Sequence, residues 1–252
     1  MKLPNPKFTG MNMVTNAKVQ QEISNYLPKS AQRLAFLNSL TTFSGLIDFC
    51  IEDYRAWGDA VLMGAGAYLK INNYSNEISL AKEYVKAEVE TYLKCNPFSS
   101  EAEYDAWHEK ICLTLSNPTK YFASYSAYRK TSTDNFKNKN GFTIGNAQKF
   151  LNMLMKDLYA CLNYNSKLLP NYEDYFKYCH MPLDSYILRF VDDIRHREHI
   201  KKSARKYTWG NLNSYSSYMD EQNDIRKYVT VHKTNSQTTV LQTEFVVWPL
   251  YK

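Results

Sequence analysis

Between Thr143 and Asn163 the chain reads as a helix that is apolar on almost every face. Ile144, Ala147, Leu151, Leu154, Leu158 and Leu162 recur at buried spacing. A helix of this kind needs neighbours on all sides, so it predicts a central element wrapped by other helices. The rest of the sequence agrees. Gly and Pro number only 8 each in 252 residues, about half their usual share. Sandwiches and propellers turn the chain too often for that supply. The expectation is a mainly α fold: a single globular helical domain, with division into two helical lobes left open.

Flanking helices are expected from Ser30 to about Trp57–Gly58, from Asp59 through Tyr68, and from Asn76 to Lys94. Ser99/Ser100 with Glu103 predicts a capped helix carrying Trp107, Ile111 and Leu115. A short helix followed by an exposed loop is expected over 119–141. Leu183–Arg197 and Ser214–Lys227 are two further expected helices. Residues 1–15, with Pro4 and Pro6, read as an extended arm, leaving 16–252 as the helical domain. The tail TTVLQTEFVVWPL is rich in β-formers. It predicts a short C-terminal β element, paired with 228–233.

Five cysteines, Cys50, Cys95, Cys112, Cys161 and Cys179, have no CxxC spacing. They fit a reducing cytoplasm better than a disulfide framework or a zinc site. No secretory leader and no run of about 18 apolar residues is seen, so no membrane association is expected. The net charge of +6 is unevenly placed. Residues 116–206 hold 16 basic against 8 acidic residues, +8, and the remainder holds 15 against 17, −2. That segment is the expected basic catalytic lobe. Its excess fits a surface for an anionic partner, nucleic acid above all. Arg129, Lys130, Arg195, Arg197, Lys201, Lys202, Arg205 and Lys206 are the candidate phosphate contacts.

The central helix also carries a polar line. Lys149, Asn152, Lys156 and Asn163 share one face. Such lysines must reach water, a carboxylate or a ligand. Downstream, Asp184 follows Pro182 and precedes an apolar helix, which makes it an ordinary N-cap candidate.

Phe142-Thr-Ile-Gly145-Asn-Ala-Gln-Lys149-Phe, followed by a buried helix and then by Met181-Pro182-Leu183-Asp184-Ser-Tyr-Ile-Leu, resembles the catalytic region of the helix-hairpin-helix DNA glycosylase superfamily. The archaeal 8-oxoguanine glycosylase-like branch is the most similar. The resemblance spans about residues 142–191. It implies that Lys149 is the nucleophile that attacks the sugar and Asp184 the activating carboxylate. Lys156 matches a second lysine that recurs seven residues later in that branch, with Asn152 and Gln148 as supporting residues. Gly141 and Gly145 are present but form no Gly-x-Gly hairpin. The implied activity is excision of a damaged base through a lysine Schiff base. The implied partner is duplex DNA with an extruded base, and no cofactor or metal is implied.

Two other readings stand beside it. Arg189 with His196, or Arg195 with His199, matches the Arg-spacer-His pair of HEPN-like RNases. A metal site from His196, His199 and Asp192/Asp193 is disfavoured by the surrounding cations. A non-catalytic helical protein that grips nucleic acid or another partner, in a phage, defence or counter-defence setting, fits everything except the Lys/Asp pairing.

Overall fold

The computed structural model describes residues 14–53, 56–61, 70–132, 141–202, 205–233 and 238–252. In chain order the helices are α1 (Asn16–Tyr26), α2 (Ala31–Ser39), α3 (Phe43–Asp48), α4 (Ala56–Val61), α5 (Ser75–Lys94) and α6 (Glu101–Ser116). Then come α7 (Ala123–Thr131), α8 (Ile144–Tyr164), α9 (Tyr172–Phe176), α10 (Ser185–Arg197), α11 (Tyr215–His232) and α12 (Val240–Tyr251). A π-helical turn, Phe49–Asp53, follows α3, and Ser166–Leu168 and Trp209–Asn211 form short 3-10 turns. These elements make one globular all-α domain.

The expected C-terminal β element is absent: no strand occurs among the described residues. Val240–Tyr251 is helical, and the proposed pairing partner, 228–233, lies mostly within α11. Thr239 and Gln242 explain the outcome. The Thr239 hydroxyl accepts from Gln242 N–H, and the Gln242 side chain accepts from Thr239 N–H. This reciprocal cap starts a helix. The β-branched and aromatic residues that favour a strand instead bury α12 nearly all round, against α1, α10 and α11.

The long helix expected from Ser30 is also broken. Leu40 turns extended, Thr42 caps α3 through Gly45 N–H, and Trp57, Gly58 and Asp59 lie inside α4. The expected arm falls almost wholly outside the described residues, as does most of the helix from Asp59 to Tyr68; of 119–141 the short helix is α7, and residues 133–140 of the expected loop lie outside the described residues.

The central position of α8 is as expected. It packs chiefly against α4 and α6, with α1, α9 and α11 around it. Its start is fixed by close backbone approach. Gly141 is left-handed, with φ of 72°, and a side chain there meets Ser126. Phe142 then stacks on Phe122 with ring centroids 4.1 Å apart. Thr143 and Asn146 form a capping box. Gly145 N–H donates to Leu212 O at 2.9 Å, and a Cβ on Gly145 comes within 1.6 Å of Trp209 O. The 209–212 turn therefore lies directly on the first turn of α8.

Candidate functional site

From Gly141 to Leu162 every residue is buried except Lys149, which keeps partial exposure. The polar line on α8 therefore does not face solvent, and each member has a partner inside the protein. Lys149 Nζ lies 3.7 Å from Asp184 Oδ2 and 4.5 Å from the Trp209 ring centroid. The Lys149 and Asp184 side chains are 12% and 11% exposed, so the pair sits at a narrow edge of the core. Lys156 Nζ is 2.5 Å from Glu244 on α12, and both are almost fully enclosed. The Lys156 ammonium also lies over the Tyr26, Phe245 and Trp248 rings. Burial raises the Glu244 carboxyl above its usual range, and Lys156 opposes that shift. Asn163 donates to Tyr172 OH at 2.8 Å.

Asp184 is the N-cap of α10. Its Oδ1 accepts from Tyr186 and Ile187 N–H at 2.8 and 2.9 Å. Its Oδ2 accepts from Trp248 Nε1 at 3.0 Å and faces Lys149. Capping and the lysine contact thus use different oxygens of one carboxylate. Trp248 links the two lysine sites, since its N–H binds Asp184 and its ring covers Lys156.

The segment before Asp184 is clamped by amide side chains. Gln148 accepts from Leu183 N–H at 3.1 Å and donates to Leu183 O at 3.0 Å. Gln222 does the same to Met181, at 3.2 and 2.7 Å. Behind them runs a buried polar chain. Asn152 donates to Gln148 Oε1 and Tyr218 OH, and His108 Nε2 donates to Asn152 Oδ1 at 3.0 Å. The Tyr218 hydroxyl lies 2.7 Å from His180 Nδ1, and His180 Nε2 donates to Asp105 at 2.8 Å. Arg226 grips Asp105 with both terminal nitrogens. Sequence reading names Gln148 and Asn152 but misses Gln222, His180, Asp105, Arg226, Glu244 and Trp248. Only the tertiary fold brings these together.

The basic candidates divide. Arg195 binds Asp224 and Glu221, Lys202 binds Asp224, and Arg205 binds Glu221 and Asp192. These three brace α10 and the following segment against α11 rather than presenting free charge. Arg129 is buried, 2% exposed. Arg197 is half-buried. Lys130, Lys201 and Lys206 are exposed and make no ion pair among the described residues. The Arg-spacer-His alternatives are not assembled either. Arg189 donates to Tyr251 O, Arg195 is neutralised, and His196 and His199 are exposed at the end of α10. Asp192 and Asp193 hold Arg205 and the Tyr251 hydroxyl. Among the described residues no group of three or more His, Cys, Asp or Glu is arranged to hold a metal, and no helix is long and apolar enough to cross a membrane.

No family model, no curated protein and no solved structure matches this chain.

Proposed function

We propose that the chain is a lysine-dependent DNA glycosylase/lyase acting on a damaged or modified base. One observation carries the reading. Lys149, the one residue from Gly141 to Leu162 that is not buried, faces the carboxylate of Asp184, 35 positions away in sequence, at 3.7 Å.

The chemistry follows from that pairing. As the base departs with the electrons of its bond to C1′, positive charge builds on the sugar, and the Asp184 carboxylate stabilises it. The Lys149 ammonium passes a proton to Asp184, which hands it on to the departing base, and the freed amine forms the new bond to C1′. Breaking the C1′–O4′ bond then gives the Schiff base with the ring oxygen as hydroxyl, and loss of a C2′ proton expels the 3′ phosphate by β-elimination. Trp209 and Trp248 flank the pair and are the rings placed to hold an extruded base. Lys130, Lys201 and Lys206 are the cations left to meet phosphates.

The test is borohydride trapping on duplexes carrying oxidised, alkylated or deaminated bases. A covalent adduct is expected with the natural chain and none with Lys149→Ala. Asp184→Asn keeps an oxygen to cap α10 and is expected to slow trapping by about a hundredfold or more. A folded protein that binds DNA and gives no adduct with any of these bases makes it a binding module instead. RNA cleavage lost in His196→Ala or His199→Ala makes it an RNase.

A further inference from the structure

Among the described residues no ion pair is more enclosed than Lys156–Glu244, whose side chains are 3% and 1% exposed. Lys156 comes from α8 and Glu244 from the second turn of α12, 88 positions later. Three aromatic rings close over the ammonium. The Tyr26 centroid is 4.3 Å away, Phe245 5.0 Å and Trp248 5.4 Å. Tyr26 and Phe245 also meet edge to face at 5.3 Å. The pair is thus shut off from water.

The contact is close without being directed. Lys156 Nζ lies 2.5 Å from Glu244 Oε2, yet Oε2 makes no properly aligned hydrogen bond. The carboxyl carbon is one C–O bond beyond the oxygen, so Nζ is within about 3.7 Å of it whatever the angle. Atoms held ready to react are about 3–3.5 Å apart. The two atoms that an amide would join are therefore already near attacking distance.

Asp157, the next residue on α8, does not compete for the lysine. Its Oδ1 accepts from the Tyr26 hydroxyl at 2.5 Å. Burial lifts its carboxyl well above the usual range, against the Tyr26 bond and the Lys156 charge. It stays uncharged and leaves the ammonium to Glu244. Both charges of the Lys156–Glu244 pair are costly to desolvate in such a place, and an amide carries neither.

We propose that Lys156 and Glu244 become joined by an isopeptide bond, a covalent cross-link between α8 and α12 that the chain makes unaided after folding. The newly folded chain holds the pair as ions. A proton passes from the Lys156 ammonium to the Glu244 carboxylate, giving an amine and a carboxylic acid. The amine lone pair then attacks the Glu244 Cδ. The N–Cδ bond forms, the bond from Cδ to the hydroxyl breaks, and one amine proton joins the departing hydroxyl as water. No oxidant, cofactor or second substrate enters the balance. Fixed proximity supplies what the same condensation lacks in solution, and the dry enclosure withholds the water that would reverse it. The closed loop is long, so the bond restricts the unfolded chain strongly.

Intact-mass spectrometry of the whole chain under denaturing conditions is the experiment. The purified protein, held folded at neutral pH, is expected to come to a mass one water below that of its sequence. A protease digest is expected to give a branched peptide joining the Lys156 and Glu244 segments. Lys156→Met with Glu244→Leu removes both reacting groups and keeps apolar side chains among the same rings, so it is expected to fold and to hold its full mass. The linked chain should migrate faster than this variant on a denaturing gel. A natural chain that keeps its full mass after prolonged incubation in the folded state overturns the proposal. So does a loss of water that maps to other residues or persists in the double variant. Lys149 and Asp184 take no part in the step, so the result is separate from that of the trapping experiment.

Discussion

Gln148 holds Leu183 by both ends of its amide, accepting from the Leu183 N–H and donating to the Leu183 carbonyl. The residue before the candidate nucleophile thus fixes the residue before the candidate carboxylate. The separation of Lys149 and Asp184 is set by neighbours in the chain rather than by their own attraction.

Gln148→Leu should therefore do more than remove four hydrogen bonds, to Leu183, Gly145 and Asn152. It leaves buried polar groups of Leu183 unmatched, at about 1–3 kcal/mol each. Chemical denaturation should read the loss. Gln148→Glu puts a fully buried carboxylate against the Gly145 and Leu183 carbonyl oxygens, so it should destabilise at least as much as Gln148→Leu at neutral pH.

Gly145→Ala tests the close approach of the 209–212 turn. Its Cβ would meet Trp209 O at 1.6 Å, and backbone cannot yield as a side-chain tip can. The turn must move off α8, taking Trp209 from Lys149. A lowered melting temperature and a changed tryptophan emission are the expected readings. An unchanged melting temperature would refute the packing.

The Lys156–Glu244 pair should behave asymmetrically. Lys156→Met alone leaves a buried carboxylate uncompensated, a loss of about 3–5 kcal/mol. Adding Glu244→Leu should recover most of that loss, because the lysine already lies among the Tyr26, Phe245 and Trp248 rings. A double-mutant cycle measures the recovery.

His180 makes stability depend on pH. Burial lowers its pKa to about 4, its bond to Asp105 opposes that shift, and the Arg226 charge adds to it. Burial also drives His108 well below the ordinary value of 6.5, with the His180 charge adding to that. The folded state thus favours neutral rings that the unfolded chain protonates. Their contribution is complete above about pH 6.5 and is lost as pH falls from there toward 4, at up to about 1.4 kcal/mol per pH unit for each ring. Asp105 does not offset this. Burial raises its carboxyl, but the Arg226 and His180 bonds outweigh that and hold it well below the usual range, so it stays ionised throughout the window. Urea midpoints should fall between pH 7 and 5, and the His180 ring resonances should not titrate above pH 5.

The helical architecture is legible from periodicity, and α8 appears within a residue or so of its expected bounds. The α12 error has a readable cause. A short apolar run looks alike as a buried strand or a buried helix, and Thr239-x-x-Gln242 is the signal that separates them. That error also hides the partner of Lys156, because Glu244 lies on the misread segment. Part of the positive charge of 116–206 is cancelled from outside that segment. Charge summed over 116–206 omits Glu221 and Asp224, which lie outside that window yet neutralise Arg195, Lys202 and Arg205.

Trp248 and Glu244 are made long after Lys149 and Lys156 as the chain leaves the ribosome. Until α12 docks, the polar face of α8 has neither its carboxylate at Lys156 nor the indole that steadies Asp184. The two lysine settings on α8 are therefore completed together, by the docking of one later helix.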